Sequence, residues 1–158
     1  DYIFQTDSDG QTLPSEFWGF WEKRKDYAAM IGRRISREDG IARIFVTKVL
    51  KLVLFLIFWL KIPDANTPFR LMNYEILAKY YPMIPKHFNL SNVMLTVLFM
   101  KNEEKVKFEP ITFRPRQGGV NSINLKKISK IGIQAIKDFS RIKKELRLQE
   151  EAVRNERI

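Results

Sequence analysis

The chain has no cysteine and a single histidine, His87. Without cysteine there is no disulfide framework and no thiolate metal site. One histidine argues against a His-rich metal centre and against Ser-His-Asp chemistry. Neither a Walker loop nor a Gly-x-Gly-x-x-Gly loop occurs, so a kinase or Rossmann reading has no support. An apolar run of about 20 residues is missing too. The most hydrophobic segment, Ile41 to Leu60, is interrupted by Lys48 and Lys51 and falls short of a membrane span. There is no internal repeat and no low-complexity linker. The chain opens without an initiator methionine on an acidic residue and an apolar stretch, with no signal-peptide pattern. It therefore reads as a fragment, with an N-terminal part expected ahead of it.

What is present is apolar and basic. At 158 residues with 45% hydrophobic and 13% aromatic content, the chain can bury a core as one domain. Its net charge of +10 favours an anionic partner: phosphates, nucleic acid or an acidic membrane surface.

Tyr2-Ile3-Phe4 reads as a buried strand running into the tight turn Asp7-Ser8-Asp9-Gly10-Gln11. Strand alternation would point Asp7 and Asp9 the same way, as hard oxygen ligands that can hold Mg²⁺ or Mn²⁺ against a diphosphate. The competing reading is an acidic turn whose Asp and Gly serve the backbone. Pro14-Ser15-Glu16 starts a helix whose Phe17, Phe20 and Trp21 fall at packing distance on one face. Tyr27 to Ile31 predicts the next strand, leading into an arginine-crowded loop from Gly32 to Arg37. Strand, helix, strand argues for an α/β layer.

Ile41 to Leu60 predicts an apolar helix with Arg43, Lys48 and Lys51 within about 140° of one another. Such a helix can lie in a membrane interface or be buried in a core or against a partner; Phe58-Trp59 followed by Lys61 favours the interface. Asp64 to Arg70 is a turn-rich loop. Leu71 to Tyr81 predicts a strand end and then a helix stopped by Pro82 and Pro85. Asn89 or Ser91 is expected to cap a further helix through Phe99. Lys105 to Phe113 alternates about Pro110, which suits an edge strand. It delivers Arg114, Arg116 and the Gly118-Gly119 pair, an anion-binding candidate whose alternative is a solvated hinge. From Ile123 the apolar residues recur every three or four positions between lysines, as in a long basic amphipathic helix. A charged tail from Gln149 is expected to fray.

Three groups of arginines, at 33–37, at 114–116 and at Arg70, are thus expected in loops at strand ends, where open α/β sheets bind ligands. Carboxylates among them suit a metal-bridged, phosphorylated ligand. A nucleic-acid backbone would be repelled by them unless a metal intervened, so nucleic acid is not expected as a partner.

The ordered set Asp7-Ser8-Asp9-Gly10-Gln11, Gly32-x-Arg34, Arg43, Asp64-x-x-Thr67-x-Phe69-Arg70 and Arg116-x-x-Gly119-x-x-Ser122 resembles family 2 glycosyltransferases. The branch it is most similar to is the polyprenyl-phosphate sugar transferases of the dolichyl-phosphate mannosyltransferase type, over nearly all residues up to about Lys144. The resemblance implies the C-terminal part of a GT-A fold: a catalytic portion at 1–122 lacking its N-terminal nucleotide-binding βαβ part, a basic helix at 123–146, and a charged tail at 147–158. It implies an inverting, metal-dependent hexosyltransferase at the cytoplasmic face of a membrane, held peripherally by interfacial helices. The donor would be a nucleotide-diphosphate sugar and the acceptor a polyprenyl phosphate.

By that resemblance Asp7, Asp9 and Gln11 hold Mg²⁺ or Mn²⁺. Arg34, Arg43, Arg70, Arg114, Gly119 and Ser122 bind donor or acceptor phosphates. Asp9, Arg116 and Asp64 carry catalysis. Pro68 stands where the family has glycine, and the late arginine motif is one residue longer. A lipid phosphate is already anionic and needs no general base; a sugar hydroxyl would need one, with Asp64 the candidate. The fragment alone is expected to be nearly inactive. The alternatives are a transferase acting on a glycan or polysaccharide hydroxyl, and a non-catalytic basic module for membranes or nucleic acid.

Overall fold

The computed structural model describes residues 1–35, 41–86, 88–114 and 125–155, with the side chains of 41–44, 125–132 and 149–154 outside that description. The protein is mixed α/β. Its strands are β1 (Tyr2–Gln5), β2 (Ala29–Arg34), β3 (Arg70–Asn73) and β4 (Val106–Ile111); its helices are α1 (Phe17–Glu22), α2 (Ile41–Phe58), α3 (Tyr74–Tyr80), α4 (Ser91–Lys101) and α5 (Leu125–Asn155).

The strands form one mixed sheet in the order β1-β3-β2-β4. β1 and β2 both run antiparallel to β3, whereas β2 and β4 are parallel. It follows that β1, β2 and β4 point the same way and release the chain at one end of the sheet. The chain enters β3 at that same end, and this arrangement positions the candidate site.

Period-two alternation sorts the side chains into two layers. Met30 and Leu71, paired across β2 and β3, face a small cluster with Phe20 of α1, Phe69 and Ile111. Their neighbours Ala29 and Met72 face the larger cluster, built by α2, α3, α4 and α5. Phe139 of α5 is central to that layer, edge-on to Phe58 of α2 at 6.0 Å and to Phe88 at 5.4 Å. Lys143 of α5 also donates to the Ile57 carbonyl, capping a carbonyl near the end of α2.

Local chemistry explains most boundaries. Asn73 ends β3 and caps α3, its side-chain oxygen accepting from the N–H groups of Glu75 at 2.9 Å and Ile76 at 3.2 Å. Pro82 then stops α3 in a short 3-10 turn. α4 begins without either expected cap: its N-cap is Leu90, with no side-chain bond. The reason is burial, since every residue from Val93 to Phe99 is buried and packing rather than capping supports the helix. β4 is an edge strand, as Pro110 requires. β1 is an edge strand too, not the buried strand expected, and Ile3 is 40% exposed. α5 continues as helix to Asn155, past the expected frayed tail.

Candidate functional site

The acidic turn leaves the sheet at the end of β1. Its backbone is a bend rather than a strand, so the expected alternation does not orient Asp7 and Asp9. Gly10 instead takes φ 72°, the left-handed region that glycine enters without strain. This folds the turn so that the Asp9 carboxylate accepts from the Gln11 N–H at 3.3 Å. Asp7 is exposed and Asp9 half-buried.

Gln11 is buried and clamps the turn to the end of β4. Its side-chain Nε2 donates to the Arg114 carbonyl at 2.9 Å, and its own carbonyl accepts from the Arg114 N–H at 2.8 Å. Arg114 is thereby fixed beside the turn with its side chain exposed. Glu16 adds a second tie that sequence reasoning missed: its carboxylate accepts from the Thr112 N–H at 2.8 Å, while its other oxygen is buried without a hydrogen bond. The separation of nearly a hundred residues in sequence hides such a contact.

Arg34 is the last residue of β2, not part of a loop as expected. Its guanidinium makes a bidentate pair with Asp64, Nε to Oδ2 and Nη2 to Oδ1, each 2.8 Å, and its N–H reaches Oδ2 at 3.3 Å. It also lies over the Phe113 ring, 5.0 Å from the centroid. Asp64, the candidate base for a hydroxyl acceptor, is buried, and each of its oxygens accepts from the Arg34 guanidinium.

Arg70 departs furthest from expectation. It is fully buried, and its guanidinium donates to the carbonyls of Thr67 at 2.7 Å, Asn92 at 2.8 Å and Ala65, and to the Thr96 hydroxyl at 3.0 Å. Burial pulls its pKa down to about 9, with Asp64 opposing that fall and Arg34 adding to it. It remains charged at neutral pH but has no face toward a phosphate. Its work is to pin the loop before β3 against α4. Thr67, fully buried in the same loop, has a hydroxyl without a hydrogen bond.

One end of the sheet therefore gathers the acidic turn, the Arg34–Asp64 pair and Arg114. The side chain of Arg43 and all of Arg116, Gly119 and Ser122 lie outside the described residues, as does His87. Among the described residues no three His, Cys, Asp or Glu side chains could jointly hold a metal. Asp7, Asp9 and the Gln11 amide offer hard oxygens of the right kind for Mg²⁺ or Mn²⁺ only if the ligand completes the shell, as diphosphate oxygens and water do. No helix among the described residues is long and apolar enough to cross a membrane. The chain matches no protein-family model and no curated protein sequence.

Proposed function

We propose that the chain is the C-terminal part of a GT-A-type glycosyltransferase that moves a sugar from a nucleotide diphosphate to a polyprenyl phosphate. The observation that carries this reading is the placement of the acidic turn, the Arg34–Asp64 pair and Arg114 at the end of the sheet where β1, β2 and β4 finish, the side on which α/β sheets bind ligands. Arg114, its backbone tied to Gln11 and its side chain exposed, supplies a cation on the same turn-and-strand junction as the two carboxylates, a combination that suits a metal-bridged diphosphate. A bound divalent ion would supply charge neutralisation on the leaving diphosphate. Asp64, tied to Arg34, is not required as a base when the acceptor oxygen is already anionic, which favours a phosphate over a sugar hydroxyl.

A membrane-bound acceptor suits α2. Leu54 and Phe58 are buried against the core, yet Phe45, Leu52 and Leu56 are 58%, 56% and 62% exposed. At 100° per residue these three lie within about 40° of one another, on the opposite side. Trp59, just past the helix, is 76% exposed and takes φ 59°, a strained conformation for a bulky residue. An apolar stripe ending in tryptophan, flanked by exposed Lys48 and with Lys51 and Lys61 also exposed, is suited to an anionic lipid interface. The same stripe serves the second reading, a non-catalytic basic membrane module.

Calorimetric titration of a nucleoside diphosphate with and without Mn²⁺ separates the two. The transferase reading expects Mn²⁺-dependent binding that Asp9→Ala abolishes and moderate salt leaves intact. Binding indifferent to Asp9 and steeply weakened by salt would overturn it in favour of the basic module.

A further inference from the structure

A cleft of about 550 Å³ opens between the acidic turn and α1, with Thr6, Asp7, Ser8, Thr12, Phe17 and Trp18 on its walls. Its size is that of a small-molecule site. Its lining is mostly apolar, with Phe4 and Phe69 at the sheet, and carries a few polar groups from the turn. Trp18 is 62% exposed although its helix neighbour Phe20 is 1% exposed and packed in the core. The edge-to-face contact with Phe17, at 5.3 Å between centroids, holds the indole at the rim. The hydroxyls of Thr6 and Thr12, also in the lining, lie 3.2 Å apart, Thr6 Oγ1 is 3.4 Å from the Asp7 carbonyl it can donate to, and the Asp7 carboxylate that follows Thr6 in the chain is exposed.

We propose that this cleft binds a pyranose ring, with Trp18 as the surface on which the ring stacks. A pyranose is amphipathic in the matching way. Its C–H face is apolar and polarised toward the electron-rich face of an aromatic ring, while its rim of hydroxyls needs acceptors and donors. The Asp7 oxygen not directed at a metal can accept from one such hydroxyl, and the threonines can donate or accept as the sugar requires. The inference deepens the transferase reading and rests on it for the sugar being part of the substrate. It adds that Trp18 and the Thr6–Thr12 pair, outside the family motifs, select that sugar.

The test uses the whole chain and the indole N–H signals of its three tryptophans in proton–nitrogen NMR spectra. Methyl gluco-, manno- and galactopyranosides are titrated, with uridine and guanosine monophosphates as controls that stack through their bases and carry no pyranose ring. At least one pyranoside is expected to move the Trp18 signal and not that of Trp59. Trp18→Ala should weaken that binding by about tenfold, and Trp18→Phe should restore most of it. A Trp18 signal unmoved by every pyranoside, or moved by the nucleotides alone, overturns the proposal. A nucleoside diphosphate with Mn²⁺, read at the amides of Asp7 to Gln11, is titrated in parallel. Diphosphate binding without a pyranoside response sinks the cleft and spares the transferase; the reverse result sinks the transferase and spares the cleft.

Discussion

Asp64 and Arg34 are thirty positions apart in sequence and form a nearly buried bidentate pair, with side-chain exposures of 4% and 13%. Removing one partner of such a pair strands the other charge in a poor solvent, which costs more than the pair itself contributes. Asp64→Asn is therefore expected to lower unfolding free energy by about 3 kcal/mol in urea denaturation. Adding Arg34→Met should recover part of the loss, a coupling that a double-mutant cycle reads. If the single and double variants were equally destabilised, the pair would not be the cause.

At this scale the sequence was informative about which residues matter and poor about what they face. The spacing from Asp64 to Arg70 marks a special segment, but nothing in it distinguishes a phosphate-binding arginine from a caged one. The cage around Arg70 is mostly backbone carbonyl, from Ala65, Thr67 and Asn92, and a carbonyl leaves no trace in residue type. Gln11 has the same character, since its side-chain partner is the Arg114 carbonyl.

Among the elements, β2 is the one the site depends on, because it is central in the sheet and ends in Arg34. Gly32 lies where β2 runs alongside β4, and a methyl added there would come within 2.6 Å of Ile111 Cδ1 and 3.1 Å of its Cγ1. Ile111 is fully buried and has little room to turn. Gly32→Ala is expected to destabilise by about 1–3 kcal/mol, and Ile111→Val, which removes Cδ1, should relieve part of that. Thermal unfolding of the two single variants and the double variant measures it; an Ala variant as stable as the parent would refute the crowding argument. The Gly32-x-Arg34 spacing was visible in the sequence, whereas the crowding behind it was not, since Ile111 arrives from a strand nearly eighty residues later. Helices were more legible than strands for a related reason. Their periodicity is local, while the role of β1 as an edge strand depends on β3.

For the whole molecule the net charge of +10 and the α2 stripe act together. Liposome flotation is expected to carry the protein with anionic vesicles at low salt, with recovery falling as salt rises. Replacing Leu52 and Leu56 by serine should reduce flotation more than it reduces stability, since both are exposed. Protein remaining in the soluble fraction with anionic vesicles would end the interfacial reading of α2. The amphipathic question about Ile41 to Leu60 had two answers from sequence, a lipid face or a core face. The helix has an apolar surface on both sides, so one face is buried against Phe139 of α5 while the other is open.

The strand order has a kinetic consequence. Ile31 pairs with Arg70, Tyr2 with Asn73 and Ala29 with Val106, so no pairing among the described strands is a local hairpin. The pairings close loops of roughly forty to eighty residues before they gain any ladder bonds, and such high contact order slows folding. During synthesis β1 must wait, unpaired, until β3 emerges, and the apolar α2 until α5 follows. The lysines at 48 and 51 and the large positive charge would keep those waiting segments apart, so the charge that suits an anionic surface also protects the chain before it has a fold.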